Sequence, residues 1–385
     1  MRSKEFLSVL IPDGESAHAI NVLRCLGQLK NVRVFVLSSD PKSIVRFSQY
    51  CHKFISFVDE TGGGNRLNAI CDTVKKVKPD VVLPVDIFTI SMLSSDKEIL
   101  SRLTSIVPLP RKEEFEIANH KGLLSEWLKK NKIACPPTIL FKTDGAGFDE
   151  AISSFSFPAL LKPCNGFGGS GIEFFENENA LRAFCKENII SQEFILQSFI
   201  NGYDIDCSVL CENGKILAYT IQRGFIDGNI RFRRAAGIDF LDDYSTYNIV
   251  NEVVKKFDWS GIAHIDLRYD AVDEQVKIIE INPRYWGSLM GSFCSGVNFP
   301  YLSCLAGLKR DIIKPEAKPL RYIQGGAAIK SMVKMMFPGN KKEQNVEYSF
   351  KFILKDPFPF IMYYLKIKLN RLNGLLGVSA KNKHV

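Results

Sequence analysis

A chain of 385 residues is too long for one simple core and suits two or three domains. Its 46% apolar and 24% charged residues fit an ordinary globular enzyme and exclude disordered or fibrous classes, while ten scattered cysteines without a Cys-x-x-Cys disfavour structural zinc and predict reduced thiols. The net charge of +8 is uneven: from Lys309 to the end 16 Lys and Arg stand against 5 Asp and Glu, a net +11, so the preceding body is slightly acidic and unsuited to nucleic acid.

No window approaches the roughly 20 apolar residues of a spanning helix. The N-terminus also lacks the basic-then-apolar layout of a secretory signal, so the expected location is the cytoplasm. Residues 5 to about 110 alternate short apolar runs (Phe6 to Ile11, Val32 to Leu37, Phe54 to Val58, Val81 to Val85) with helical patterns (Ala17 to Leu29, Leu67 to Val77). Such runs joined by crossover helices predict a parallel sheet covered on both faces. Pro12-Asp-Gly-Glu-Ser16 follows the first run where a dinucleotide site would have Gly-x-Gly-x-x-Gly, which disfavours that site.

Asn119 to Lys132 reads as one amphipathic helix, broken by Ala134-Cys-Pro-Pro-Thr138 before a strand at Ile139 to Phe141. Then come a strand ending at Lys162, a glycine-rich loop, a helix near Glu178 to Glu187, and the strand Phe194 to Phe199. A pair of strands, Ile205 to Cys211 and Lys215 to Gln222, is joined by an Asn-Gly turn signal. Gly224 to Phe240 reads as a basic loop carrying Arg231, Arg233 and Arg234, which would clamp an acidic substrate or simply be solvated. A helix near Tyr244 to Phe257 and two strands carrying Asp266 and Glu280 complete this unit.

Three motifs carry chemistry. In Lys162-Pro-Cys-Asn-Gly-Phe-Gly-Gly-Ser-Gly171 a lysine at a strand end precedes four glycines, which permit positive φ and let backbone N–H groups approach phosphate oxygens. No Gly-Lys-Ser/Thr closes the loop, so it is not a Walker A sequence. In Glu280-Ile-Asn-Pro-Arg284 strand alternation points Glu280, Asn282 and Arg284 to one side, and Asp266 on a neighbouring strand adds a second carboxylate. Hard oxygen ligands in that arrangement suit Mg²⁺ held on a polyphosphate. His264 shares the face of Asp266; Tyr285 and Trp286 would line an acceptor pocket or pack.

The order of these motifs over residues 1 to 310 resembles the ATP-grasp superfamily, in particular the carboxylate-amine ligases related to carbamoyl-phosphate synthetase, biotin carboxylase and D-alanine-D-alanine ligase. The resemblance implies an α/β and α+β fold in three parts, a parallel-sheet domain at 1–112, a middle subdomain at 113–200 and a C-terminal subdomain at 201–312, with a basic extension at 313–385 beyond it. It implies that Lys121 and Lys162 contact ATP phosphates and that a loop of Gly166, Gly168, Gly169, Ser170 and Gly171 closes over them. Gln197 and the backbone of Phe199 and Ile200 would meet adenine, with Gln197 standing where a glutamate is common. Asp204, or alternatively Asp206, would meet ribose.

The same resemblance assigns Asp266, Glu280 and Asn282 to Mg²⁺ or Mn²⁺, and Arg284 to the substrate carboxylate and acyl phosphate. The implied reaction is ATP-dependent amide formation between a small carboxylate, such as an acidic amino acid or sugar acid, and an amine. Carboxylation, phosphoryl transfer and a non-catalytic nucleotide-binding module are the alternatives, and a homodimer is compatible. The tail departs from the family: Phe358 to Leu365 followed by Lys366, Lys368 and Arg371 makes an apolar stripe with cations, which packs on the body or a partner or lies on an anionic membrane.

Overall fold

The computed structural model describes residues 6–58, 65–141, 152–153, 155–166, 168–188, 193–226, 235–335 and 344–375. The strands β1 (Leu7–Ile11), β2 (Val32–Ser38), β3 (Cys51–Ser56), β4 (Val81–Val82) and β5 (Ser105–Ile106) form a parallel sheet in the order β3-β2-β1-β4-β5. Its helices include α1 (Ala19–Gly27), α2 (Arg66–Val77) and α3 (Ile87–Ser101). Val9 and Ile11 pack on one face with Val22 and Leu26 of α1, and Leu10 on the other with Ile70 and Val74 of α2. Burial on both faces is why these strands read as unbroken apolar runs.

The helix expected from Asn119 to Lys132 is α5 (Lys121–Lys130), and a shorter helix, α4 (Lys112–Asn119), precedes it. His120 separates them with extended backbone, φ −117° and ψ 111°, and its Nδ1 accepts from the Leu123 amide at 3.2 Å. That cap starts α5 with Lys121 as its first residue. Next, β6 (Thr138–Phe141), β7 (Ala159–Pro163), β8 (Glu173–Phe175) and β9 (Phe194–Ser198) form an antiparallel sheet ordered β6-β9-β7-β8, with the glycine loop between β7 and β8.

The largest sheet is β14-β13-β10-β11-β12-β15-β16, built from β10 (Gly202–Glu212), β11 (Lys215–Ile226), β12 (Gly237–Leu241), β13 (Gly261–Asp270), β14 (Gln275–Asn282), β15 (Leu320–Ile323) and β16 (Val346–Tyr348). Asn213 and Gly214, at φ 49° and 71°, make the tight turn between β10 and β11 that the Asn-Gly pair predicted. The expected basic loop is shorter than its sequence suggested, because β11 runs to Ile226 and β12 starts at Gly237. Arg231, Arg233 and Arg234 lie outside the described residues.

Alternation gives this sheet two unlike faces. Ile205, Cys207, Val209, Ile265 and Leu267 pack against Val250, Val253, Val254 and Phe257 of the helix Tyr244–Phe257. Asp206, Ser208, His264 and Asp266, one residue out of phase, therefore point to the opposite face. The segment after 312 does not stand apart: β15 and β16 extend the same sheet, and the helices Phe350–Lys355 and Phe358–Leu375 return to the N-terminal domain. Asp356, fully buried between those helices, takes Arg24 Nε at 3.2 Å, Ser48 Oγ at 2.8 Å and the Gln49 amide at 3.0 Å.

Candidate active site

On the polar face, Asp206 of β10 pairs in register with Asp266 of β13, which pairs with Glu280 of β14. The next rung is Ser208, His264 and Asn282 on the same three strands. Asn282 binds the acids together, donating from Nδ2 to Glu280 Oε1 at 3.0 Å and to Asp266 Oδ2 at 3.3 Å. Asp206 accepts from Gln222 Nε2 at 3.1 Å, and Gln222 is held in turn by Ser288 at 2.7 Å. His264 is oriented by Ser208, Nδ1 lying 2.9 Å from its Oγ.

Two cations enter from the other side of the cleft. Lys121, at the start of α5, lies 3.1 Å from Glu280 Oε2 and donates to the Gly166 carbonyl at 2.8 Å, so one ammonium links the acidic strands to the glycine loop. Lys162 ends β7 only 5% exposed and donates to Gln197 Oε1 at 2.7 Å. The loop uses its glycines as expected: Gly166, Gly168, Gly169 and Gly171 have φ of 152°, 68°, 74° and 72°. A Cβ on Gly171 would also come within 3.0 Å of Pro163. Ser170 sits exposed in this loop.

The charges are out of balance. Burial pushes Asp206 up to about 7, with Asp204 and Glu280 adding to the rise, and burial followed by Glu280 and Asp206 pushes Asp266 well above the carboxylate range. Burial also works against the Glu280 anion, but Lys121, hydrogen bonds from Asp266 and Asn282, and Lys162 outweigh it and hold Glu280 at about 2. One acid is thus ionised and its neighbours are driven to keep protons. Burial pulls Lys162 down to about 8, the Glu280 carboxylate opposing and Lys121 reinforcing the fall.

A divalent cation fits this set. The ligand atoms of Asp206, His264 and Asp266 lie within 4.8 Å of one another, and Asp266 Oδ1 is buried without an aligned hydrogen bond, with His264 Nε2 3.3 Å away. Crowded oxygen donors that cannot all ionise are what Mg²⁺ or Mn²⁺ would relieve.

Arg284 is 8% exposed and fixed from several directions: one nitrogen donates to Asn282 Oδ1 at 3.0 Å, the other to the Tyr285 carbonyl at 2.9 Å and to His18 Nε2 at 3.2 Å. His18 comes from the turn before α1, so the N-terminal domain touches the site here. Tyr285 and Trp286 are buried packing residues, and all ten cysteines are free thiols.

Other expected residues are placed differently. Asp204 is 74% exposed and forms an ion pair with Arg268, which also donates to the Ile200 carbonyl at 2.8 Å. Asp206, raised in the sequence only as an alternative to Asp204, stands instead in the acid row. The amide of Gln197 donates to Thr138 at 3.1 Å while its oxygen holds Lys162. The Phe199 amide donates to the Pro158 carbonyl at 2.9 Å, and the Phe199 ring meets Phe174 edge-on at 5.3 Å. His18 was missed altogether. It lies 266 positions from Arg284, and no local spacing could have joined them.

Residues 118–288 match the family model of the ATP-grasp domain. D-aspartate ligase of Enterococcus faecium is 23% identical over 226 residues, which cover 54% of this chain and 53% of that protein. The arginine-specific carbamoyl phosphate synthase large chain of Halalkalibacterium halodurans is 24% identical over 151 residues, 35% of this chain and 14% of that one. The chain therefore spans about half or less of these relatives' length. Among solved structures, N5-carboxyaminoimidazole synthetase of Staphylococcus aureus in complex with ADP superposes with a TM-score of 0.65 at 18% identity, covering 83% of each chain.

Proposed function

From an ATP-grasp fold with an ATP-grasp domain at residues 118–288, we propose an ATP-dependent ligase that joins a small carboxylate to an amine through an acyl phosphate. The observation that carries the reading is the convergence of Asp206, Asp266, Glu280 and Asn282 with Lys121, Lys162 and Arg284 at one cleft. The similarity to a protein named D-aspartate ligase supports an amino acid as one substrate.

In this reading Lys121 and Lys162 bind the phosphates, and backbone N–H groups of Gly166 to Gly171 close over them. Asp266, Glu280 and Asn282, with Asp206 beside them, would hold Mg²⁺, which would supply positive charge against the phosphates. Adenine lies along Phe199 and Ile200, while the ribose contact of Asp204 requires it to share or leave Arg268. A carboxylate oxygen of the acid attacks the γ-phosphorus, and the bond to the bridging oxygen breaks to leave ADP. The amine nitrogen then attacks the acyl carbon, the C–O bond to phosphate breaks with its electron pair, and the nitrogen loses a proton. Arg284, locked by Asn282, Tyr285 and His18, presents paired donors to the acyl oxygens as charge develops there.

The test is release of ADP and phosphate across a panel of amino acids and sugar acids paired with amines. Amide formation coupled to both releases is the expected result. Stoichiometric uptake of bicarbonate would assign carboxylation instead, and a stable phosphorylated product would assign phosphoryl transfer. ATP binding by calorimetry without turnover on any pair would leave a nucleotide-binding module and overturn the ligase reading.

A further inference from the structure

The C-terminal helix Phe358–Leu375 carries an apolar face that the body leaves bare. Phe358, Ile361 and Leu365, spaced three and four apart on one stripe, are 61%, 46% and 46% exposed, and Tyr364 beside them is 48% exposed. Leu354, just before this helix, is 70% exposed. Among the described residues no other element covers the stripe. It is also held firmly, because Arg24 and Ser48 anchor Asp356 and the helix runs on against the turn Ile44–Phe47.

Charge identifies the occupant. Residues 350–375 contain Lys351, Lys355, Lys366, Lys368 and Arg371, while their one acid, Asp356, is buried against Arg24. Lys368 continues the apolar stripe one turn on and is exposed, and Lys366 flanks it, 3.6 Å from Asp40. Bulky apolar and tyrosine side chains with basic neighbours are the make-up of a helix that lies in the plane of a membrane interface. No described helix is long and apolar enough to cross a membrane, which leaves a surface contact. We propose that this helix docks the protein on an anionic lipid surface, with Phe358, Ile361, Tyr364 and Leu365 entering the interface and Lys366 and Lys368 meeting the headgroups.

Full-length protein is sedimented with vesicles of phosphatidylcholine alone and with vesicles containing phosphatidylglycerol. Binding is expected only to the second, weakening as salt rises. Lys366→Gln/Lys368→Gln should lower the partition about tenfold, and Ile361→Ser/Leu365→Ser should abolish salt-resistant binding. Thermal melting checks that both variants stay folded. Absence of binding to anionic vesicles, or equal binding by wild type and both variants, overturns the proposal. So does a dimer in light scattering that Ile361→Ser/Leu365→Ser dissolves while vesicle binding persists, since the apolar face would then belong to a second copy.

Discussion

Two clusters of buried acids, one just past the strand ends of the parallel sheet and one within the larger sheet, are alike in residue type and opposite in how they are satisfied. In the N-terminal domain Asp13 follows β1, and its carboxylate accepts from the Val85 amide at 2.6 Å, the Asp86 amide at 3.3 Å, Thr89 and Arg66. Glu15 alongside takes Ser38 Oγ and the Ser39 amide, each at 3.0 Å, and pairs with Arg66. Those bonds tie together the ends of β1, β2 and β4. In the larger sheet, Asp206, Asp266 and Glu280 stand side by side, and one oxygen of Asp266 has no aligned bond. Composition does not separate the clusters; what does is that the acids of the second crowd one another so that only Glu280 ionises readily, which is why we propose it as the place for a cation and its phosphates.

The comparison breaks if the acid row is merely structural, and Glu280→Gln tests that most strongly. Turnover, measured as ADP release, should fall on the order of 10³-fold, because the ionised member of the row is lost. The melting temperature should fall, since Glu280 is the acid whose charge Lys121 and Lys162 stabilise. Unchanged turnover per folded molecule would reverse the assignment. The converse variant is Arg66→Met in the N-terminal cluster. Leaving Asp13 and Glu15 without their cation should cost about 3 kcal/mol of stability, read by denaturant unfolding, while phosphate release per folded molecule stays unchanged.

Lys162 sharpens the comparison through pH. Its folded value, pulled down to about 8, lies below the unfolded value near 10.5. Between those values the unfolded chain holds more protons, so this group makes stability rise with pH from about 8 to 10.5. Nucleotide binding runs the other way. Phosphates favour the ammonium, so ATP affinity should fall as pH rises through 8, by up to about tenfold per unit, with proton uptake on binding at pH 8.5. Calorimetry in buffers of different ionisation heat reads that uptake, and Lys162→Met should abolish it. Equal uptake by wild type and variant would remove Lys162 from the phosphate site.

Much of this arrangement is legible in the sequence because it is local. The apolar runs of the parallel sheet, the Asn-Gly turn, the glycines at positive φ and the alternation of Glu280, Asn282 and Arg284 all follow from neighbours within a few residues. Pairing across strands is not local, which is why Asp204 and Asp206 could not be told apart. Only the register places Asp206 beside Asp266 and Asp204 beside Arg268. The joining of the tail to the main sheet is not local either, since it depends on β12 accepting β15 as a neighbour.

The smallest expected effect concerns His18, a residue of the N-terminal domain that contacts Arg284 beside the acid row. Arginine is only a donor, so His18 Nε2 must accept, which places the ring proton on Nδ1. His18→Ala removes one acceptor from a buried guanidinium. Turnover should drop about tenfold with the KM for ATP unchanged, because the proposed role of Arg284 is toward the acyl group and not the nucleotide. His18→Gln, whose Oε1 can accept in the same place, should recover most of that loss. A double-mutant cycle with Arg284→Lys gives the decisive comparison: if His18 acts by holding Arg284, removing it from the Arg284→Lys enzyme should cost almost nothing further. Additive losses, or no rescue by glutamine, would mean that His18 serves the fold at this junction, and the N-terminal domain would then contribute stability alone.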